Sequence, residues 1–235
     1  MKKGKLYLIP TPLGENAAHT IPVYVINILH ELDFFIAEKA KTARHFIKST
    51  NPKKPFDELT FYELNKRTED GEWQTFLNDA ENGKDVGLLS EAGCPGVADP
   101  GARVVELAHQ KGIEVIPLVG PSSILLALMA SGMNGQSFCF HGYLSPKKPE
   151  LAHDLKRLES LSSKLRQAQI FIETPYRNTS LIEEALKVLN PNTNFCIAVD
   201  LTLESEFIRT LKIKDWQKTK IPDFHKKPAI FLLQS

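Results

Sequence analysis

The residue types best suited to chemistry lie together in one loop, Ser90-Glu91-Ala92-Gly93-Cys94-Pro95-Gly96-Val97-Ala98-Asp99-Pro100-Gly101. It follows an apolar run at 86–89 that reads as a buried strand, and it places three glycines and two prolines within nine residues. Glycine lets a backbone pass close to a ligand or take φ > 0, and proline fixes φ. The loop has no lysine and no GxxxxGK pattern followed by Ser or Thr, and its prolines lack an amide donor, so it suits a phosphate poorly. Carbonyl acceptors remain, flanked by Glu91 and Asp99. Such a surface accepts a neutral or cationic ligand better than a polyanion. A long rigid turn with no ligand is the competing reading of the same residues.

Other candidates follow short apolar runs or sit near the same inferred edge. Glu38, Arg44, Glu63 and Arg177 could each orient a substrate, or form a surface salt bridge or a helix cap. Cys94 has no evident partner base, so a small residue packed against a ligand fits it better than a nucleophile. His109 sits on a helical pattern and reads as surface or structure. The pairs Lys53-Lys54, Lys147-Lys148 and Lys226-Lys227 could meet phosphates, with solvated lysines as the plainer reading. No HExxH, GxSxG, EF-hand or GxGxxG pattern is present, and the histidines are scattered, so no metal site is expected.

The elements that must position these residues alternate. Strands are expected at 5–9, 34–37, 60–62, 86–89 and 114–118, and helices at 22–32, 42–49 (Phe46 and Ile47 inward), 72–81 and 102–110. In the helix at 72–81, Trp73, Phe76, Leu77 and Ala80 fall at helical spacing. Alternation of this kind implies crossovers and a mainly parallel sheet. Val119-Gly120-Pro121-Ser122-Ser123 breaks the pattern and can cap a helix at 124–130. Beyond it, strands are expected at 138–141, 170–173, 195–199, 207–210 and 229–233, with helices at 150–167 and 180–189. Two strands in succession without a long helix imply a hairpin and hence a mixed sheet. The fold class is therefore α/β in two domains, 1–118 and 119–235. Four unusual loops at strand ends fall at 10–14, after Leu89, at 120–123 and at 173–177. They are expected on one sheet edge, lining a cleft between the domains.

Composition narrows the setting. The chain has 235 residues, 42% hydrophobic and 24% charged, as in ordinary globular proteins. Its net charge of +1 gives no support to a polyanionic partner, although a local patch can bind RNA without moving the total. Three isolated cysteines, Cys94, Cys139 and Cys196, argue against a disulfide framework or a zinc site and fit a reducing cytoplasm. The start Met1-Lys2-Lys3 is followed by an apolar stretch too short for a signal sequence, and no run approaches a membrane span.

The chain resembles the tetrapyrrole (corrin/porphyrin) methylase superfamily, and within it the bacterial small-subunit ribosomal RNA cytidine 2′-O-ribose methyltransferases. The resemblance is carried by Leu6-Tyr7-Leu8-Ile9-Pro10-Thr11-Pro12-Leu13-Gly14, by the loop at 90–101 and by Pro117-Leu118-Val119-Gly120-Pro121-Ser122-Ser123. It continues in Phe140-His141-Gly142-Tyr143-Leu144-Ser145-Pro146-Lys147-Lys148 and Phe171-Ile172-Glu173-Thr174-Pro175-Tyr176-Arg177. The family pattern Ala-Glu-Asp-Thr-Arg is replaced by Ala37-Glu38-Lys39-Ala40-Lys41, with Thr42 and Arg44 nearby, and a cysteine stands at Cys94 where a threonine is usual.

The resemblance implies two α/β domains with S-adenosylmethionine in the cleft between them, in a cytoplasmic homodimer. It implies cofactor contacts from Leu13, Gly93, Cys94, Pro95 and Val97, from Ser122 and Ser123, and from Thr174, Ala198 and Pro228. A ribose hydroxyl is a poor nucleophile, which makes Glu38, Glu63, Glu91 and Asp99 the candidate catalytic carboxylates and Arg44 and Arg177 the candidate substrate contacts. Two other outcomes are compatible with the same motifs: a methyltransferase acting on a tetrapyrrole or other small molecule, and a silent cofactor-binding protein.

Overall fold

The computed structural model describes residues 2–69 and 71–235; Met1, the first residue of the basic start, and Asp70 lie outside it. Contacts divide the chain into two compact units, Met1–Ser122 and Ser123–Ser235.

The first unit runs β1 (Lys5–Ile9), α1 (Val23–Glu31), β2 (Phe34–Ala37), α2 (Ala40–Ser49), β3 (Thr60–Glu63), α3 (Asn78–Glu81), β4 (Val86–Leu89), α4 (Ala102–Gln110) and β5 (Glu114–Pro117). Its five strands are all parallel, in the order β3-β2-β4-β1-β5. Every residue of β4 is buried, as expected of a central strand covered on both faces. On one face, Ile9, Phe35, Ala37 and Leu89 meet Val25 and Leu29 of α1 and Ala43, Phe46 and Ile47 of α2. On the other, Leu6, Ile36, Val86 and Leu88 meet Phe76, Leu77 and Ala80 and the Val104, Leu107 and Ala108 stripe of α4.

The single helix expected at 72–81 is instead a 3-10 turn at Trp73–Thr75 followed by the short α3. The Glu72 carbonyl marks the break. It accepts both the Thr75 amide at 3.0 Å and the Thr75 hydroxyl at 2.8 Å, and the Phe76 amide turns to Trp73 O. A threonine side chain that bonds locally competes with the α-helical ladder.

The second unit runs α5 (Ser123–Ser131), β6 (Phe138–Tyr143), α6 (Lys148–Leu165), β7 (Ala168–Glu173), α7 (Asn178–Val188), β8 (Asn194–Val199), β9 (Phe207–Lys212), α8 (Ile213–Trp216) and β10 (Ala229–Gln234). The sheet is mixed, in the order β6-β7-β10-β8-β9, and only β6 and β7 pair in parallel. The last two strands do not form a hairpin with each other. β8 and β9 do, with Val199 opposite Phe207, while β10 returns to lie between β7 and β8. The reason is apolar content: β10 is buried from Ala229 to Leu233, which only a central position supplies.

Helices α6, α7 and α8 cover one face of this sheet. Phe231 stands at the centre of that layer, with ring centroids 6.0 Å from Phe171 and 6.1 Å from Phe195. Trp216 of α8 is buried and donates its indole hydrogen to Phe195 O at 2.7 Å. Phe231→Ala removes both ring stacks and leaves a void, and a loss of about 3–5 kcal/mol is expected. It is read as a lower urea midpoint at unchanged slope, whereas an unchanged midpoint would mean the layer collapses around the void.

Candidate functional site

Strands β1, β4 and β5 are neighbours, so the chain segments that leave their carboxyl ends emerge side by side. The segment after β1 leads to α1 on one face of the sheet, and the segment after β4 leads to α4 on the other. Adjacent strands whose connections depart to opposite faces make a topological switch point, the usual ligand position in open α/β sheets.

Here the two departing segments are tied together. Thr11 and Gly93 exchange backbone hydrogen bonds, each 3.0 Å, in an isolated antiparallel bridge. The buried Ser90 hydroxyl donates to Gly93 O at 2.6 Å, and the buried Thr11 hydroxyl lies 3.3 Å from both Ser90 O and Ser90 Oγ. The segment after β5 joins the same cluster: the Cys94 thiol donates to Pro121 O at 3.5 Å. A Cβ on Gly120 would stand 2.2 Å from Pro10 Cγ, so only glycine lets these two backbones meet. Gly93 has φ of +77°, and a Cβ there would lie 3.2 Å from Leu13 Cδ2 and 3.4 Å from Pro121 O.

The loop after β4 turns four of its amides inward. Asp99 Oδ1 accepts the amides of Gly96 and Gly101, both at 2.8 Å, and the Val97 amide turns back to Cys94 O. Gly93 is bonded to Thr11, and Pro95 and Pro100 lack a hydrogen, so six of the twelve positions at 90–101 offer no free amide to an anion. Burial pushes the Asp99 carboxyl up despite its two amide donors. Burial likewise pushes the Cys94 thiol up, the opposite of what a nucleophilic cysteine needs.

The four nominated carboxylates gather around the carboxyl ends of β2, β3 and β4, but three have other tasks. Glu63 Oε1 accepts the Ala40 amide at 2.8 Å. Glu91 Oε2 lies 3.3 Å from both Lys39 Nζ and Thr42 Oγ1. Asp99 holds its own loop. The carboxylate of Glu38 alone of the four has no hydrogen-bond or ion-pair partner among the described residues. It borders a small hollow with Leu64, Leu88, Asp99 and Pro100. Burial raises its pKa first, and the nearby Glu91 and Asp99 raise it further.

Of the expected contacts in the first unit, Leu13, Gly93, Cys94, Pro95 and Ser122 lie in the three neighbouring segments. Gly93 and Pro95 are buried there, and Val97 is exposed. The fourth loop, at 173–177, belongs to the other sheet, so three loops and not four share one edge. In the second unit, Thr174 and Pro228 lie at a common edge, because Glu173, Ala229 and Val199 are aligned in register. Ser123 opens α5. Ala198 is wholly enclosed between Ile230 and Ile208 and offers no surface to a ligand.

Arg44 is exposed on α2 with its guanidinium 4.6 Å from the Phe61 ring centroid. Arg177 is held at home, donating to Glu173 Oε1 at 2.5 Å and to Thr174 Oγ1 at 3.1 Å. Each lysine pair noted in the sequence has one member in an ion pair: Lys54 with Asp33, Lys147 with Glu150, and Lys227 with Asp200.

Sequence reasoning missed the clamps, Thr11, Ser90 and Pro121, because which strands neighbour one another is not written in any local pattern. Thr202, a β-branched residue, stands at φ of +73°, and its buried hydroxyl has no partner among the described residues. Among the described residues, no group of three His, Cys, Asp or Glu is placed to hold a metal ion. No helix there is long and apolar enough to cross a membrane.

Comparison with known proteins agrees with this architecture. A profile of the tetrapyrrole (corrin/porphyrin) methylases matches residues 5–217. A Thermotoga maritima protein named ribosomal RNA small subunit methyltransferase I is 32% identical over 207 residues, 88% of this chain and 87% of its own. A Buchnera aphidicola protein of the same name is 29% identical over 235 residues, 99% of this chain and 79% of its own. Among solved structures, the methyltransferase CobJ superposes with a TM-score of 0.65 at 20% identity, covering 99% of this chain and 94% of its own. The cobalt precorrin-4 methyltransferase CbiF gives 0.62 at 16%, covering 98% and 94%. With the profile spanning most of its length, the chain belongs to the tetrapyrrole (corrin/porphyrin) methylases and is a methyltransferase.

Proposed function

We propose that this methyltransferase uses S-adenosylmethionine and methylates a ribose 2′-hydroxyl of small-subunit ribosomal RNA. The observation that carries the cofactor half is the tied loop at the switch point. Four of its amides are occupied internally, two of its positions are prolines without an amide hydrogen, it holds no lysine or arginine, and carboxylates stand beside it. A loop without a cationic side chain and flanked by carboxylates fits a cationic sulfonium better than a phosphate. The RNA half is supported by relatives named for the ribosomal small subunit along most of this chain.

Bound S-adenosylmethionine supplies an electrophilic methyl group, so the protein has to hold it, align the acceptor, keep water out and take up a proton. Leu13, Gly93, Cys94, Pro95, Val97 and Ser122 are the holding residues of the first unit in this reading. Glu38 is the proton acceptor. It is half-buried, it has no competing partner among the described residues, and its raised pKa makes it a better base than an ordinary carboxylate. Arg177 serves as a brace for its own loop, and Arg44 faces the acceptor. The reaction belongs in the cytoplasm, and a homodimer is part of the reading. Met129 on α5, 79% exposed, supplies apolar surface for such an interface.

Calorimetry on the purified chain should detect S-adenosylmethionine binding, and absence of a signal ends the reading. Gly120→Ala forces Pro10 and the segment after β5 apart, so the same titration should show affinity at least about tenfold weaker, the effect of misplaced holding groups. Equal affinity would mean that the contact does not shape the site.

Transfer of labelled methyl to small subunits from a strain lacking the activity should be observed, with the label in a ribose; binding without transfer would favour a silent cofactor protein. The wild-type rate should rise with pH as Glu38 ionises, over a range above that of ordinary carboxylates. Glu38→Gln should lose that limb and about 10²–10⁴ in turnover at unchanged cofactor affinity. Retention of rate and limb would remove Glu38 from the mechanism.

A further inference from the structure

Six of the chain's 29 lysines and arginines, and none of its 28 acids, lie between Lys39 and Lys54. The rest of the chain carries more acid than base, so the overall charge of +1 hides a local basic segment. Helix α2 organises it. Lys41, Arg44, His45 and Lys48 recur at i, i+3, i+4 and i+7 and therefore share one face. All four are exposed, while Ala40, Ala43, Phe46 and Ile47 on the opposite face are buried in the core. No carboxylate forms an ion pair with Lys41, Arg44 or Lys48 among the described residues. Arg44 is also restrained by its stacking over Phe61.

The position of this row matters as much as its charge. The amino end of α2 is fastened to the functional loops by Lys39 and Thr42, both 3.3 Å from Glu91, and by the Ala40 amide on Glu63. The basic face therefore starts beside Glu38 and leads away from it. We infer that Lys41, Arg44 and Lys48 of α2 form a track for the phosphate backbone of the acceptor RNA, guiding a nucleotide to the carboxyl edge of the first sheet.

This deepens the functional reading and rests on its assignment of RNA as acceptor. The chemistry of the face favours RNA over an anionic membrane. A helix that lies on a bilayer needs an exposed apolar side, and every large apolar residue of α2 is buried. Lysine and arginine at spaced positions instead neutralise successive phosphates, and each such contact releases counterions.

The test is a salt titration of binding between the full chain and a small-subunit ribosomal RNA transcript, followed by fluorescence anisotropy. Lys41→Ala/Lys48→Ala leaves the Arg44 stack in place and should keep the wild-type unfolding midpoint. It should weaken binding about tenfold near 0.1 M salt and lower the slope of log K against log salt by about 0.7–0.9 per lysine. Lys218→Ala/Lys220→Ala removes equal charge from exposed positions in the second unit and should keep the wild-type slope. An unchanged slope in the α2 variant, or an equal loss in the control, overturns the track. So does a loss of binding to phosphatidylserine vesicles with RNA binding intact. Methyl transfer is followed in parallel. RNA binding that depends on α2 without any wild-type transfer would refute the proposed reaction and leave the track standing. Transfer with a variant KM equal to wild type would refute the track and leave the reaction standing.

Discussion

The mutual backbone hydrogen bonds between Thr11 and Gly93 are the constraint on which the site depends. In the first sheet, β1 and β4 lie side by side and their chains leave toward opposite faces. Left untied, the two exits would diverge and expose backbone groups that must be paired when they are buried. The bridge pairs them, and its demands then propagate. Gly93 must take a positive φ, Ser90 must turn its hydroxyl onto Gly93 O, and the strand end must carry small or cyclic residues so that Pro10 and Gly120 can touch. The glycines and prolines of the loops are, in this sense, geometric consequences of closing a switch point with main chain.

That closure also settles the electrostatics. With the amides of Gly93, Gly96, Val97 and Gly101 turned inward, the loop is bordered by the carboxylates of Glu38, Glu91 and Asp99. Glu91 is partly balanced by Lys39, whereas Glu38 has no partner at hydrogen-bond distance among the described residues and is held toward its neutral form by burial and by its acidic neighbours. A cation near these groups would lower the repulsion that they share. The positive charges that a polyanion would require lie on the exposed face of α2. Two charge requirements of opposite sign thus fall on consecutive stretches of chain, Glu38 before α2 and the basic face on it.

How much of this could be read from the sequence depends on whether the cause was local. β4 was legible because Val86, Leu88 and Leu89 form an apolar run ended by Ser90, and α4 because Val104, Leu107 and Ala108 keep a helical spacing. The break in the expected helix at 72–81 was not, since it lies in the amides of Thr75 and Phe76 bonding three residues back rather than four. The place of β10 between β7 and β8 was not either, because nothing local to residues 229–234 names its neighbours. The site followed the same division. The two positions without an amide hydrogen, Pro95 and Pro100, were visible in the sequence, while the difference between Glu38 and the other three carboxylates arose only when Ala40, Lys39, Gly96 and Gly101 were brought to Glu63, Glu91 and Asp99.

The departure at Lys39-Ala40-Lys41 has a physical counterpart in how α2 begins. An acidic residue in the first turn would normally favour the helix dipole, and α2 has none; Lys39 stands at the cap and makes no side-chain cap bond. Two lysines near a positive helix end should fray it. The missing negative charge comes instead from neighbouring strand ends, with Glu63 accepting the Ala40 amide and Glu91 facing Lys39 and Thr42. Capping from outside the helix leaves α2 free of internal acids, which is the condition for an unbroken basic face. It also joins the placement of that face to the loops that carry Glu38, because the carboxylates that stabilise the start of α2 extend from the same sheet edge.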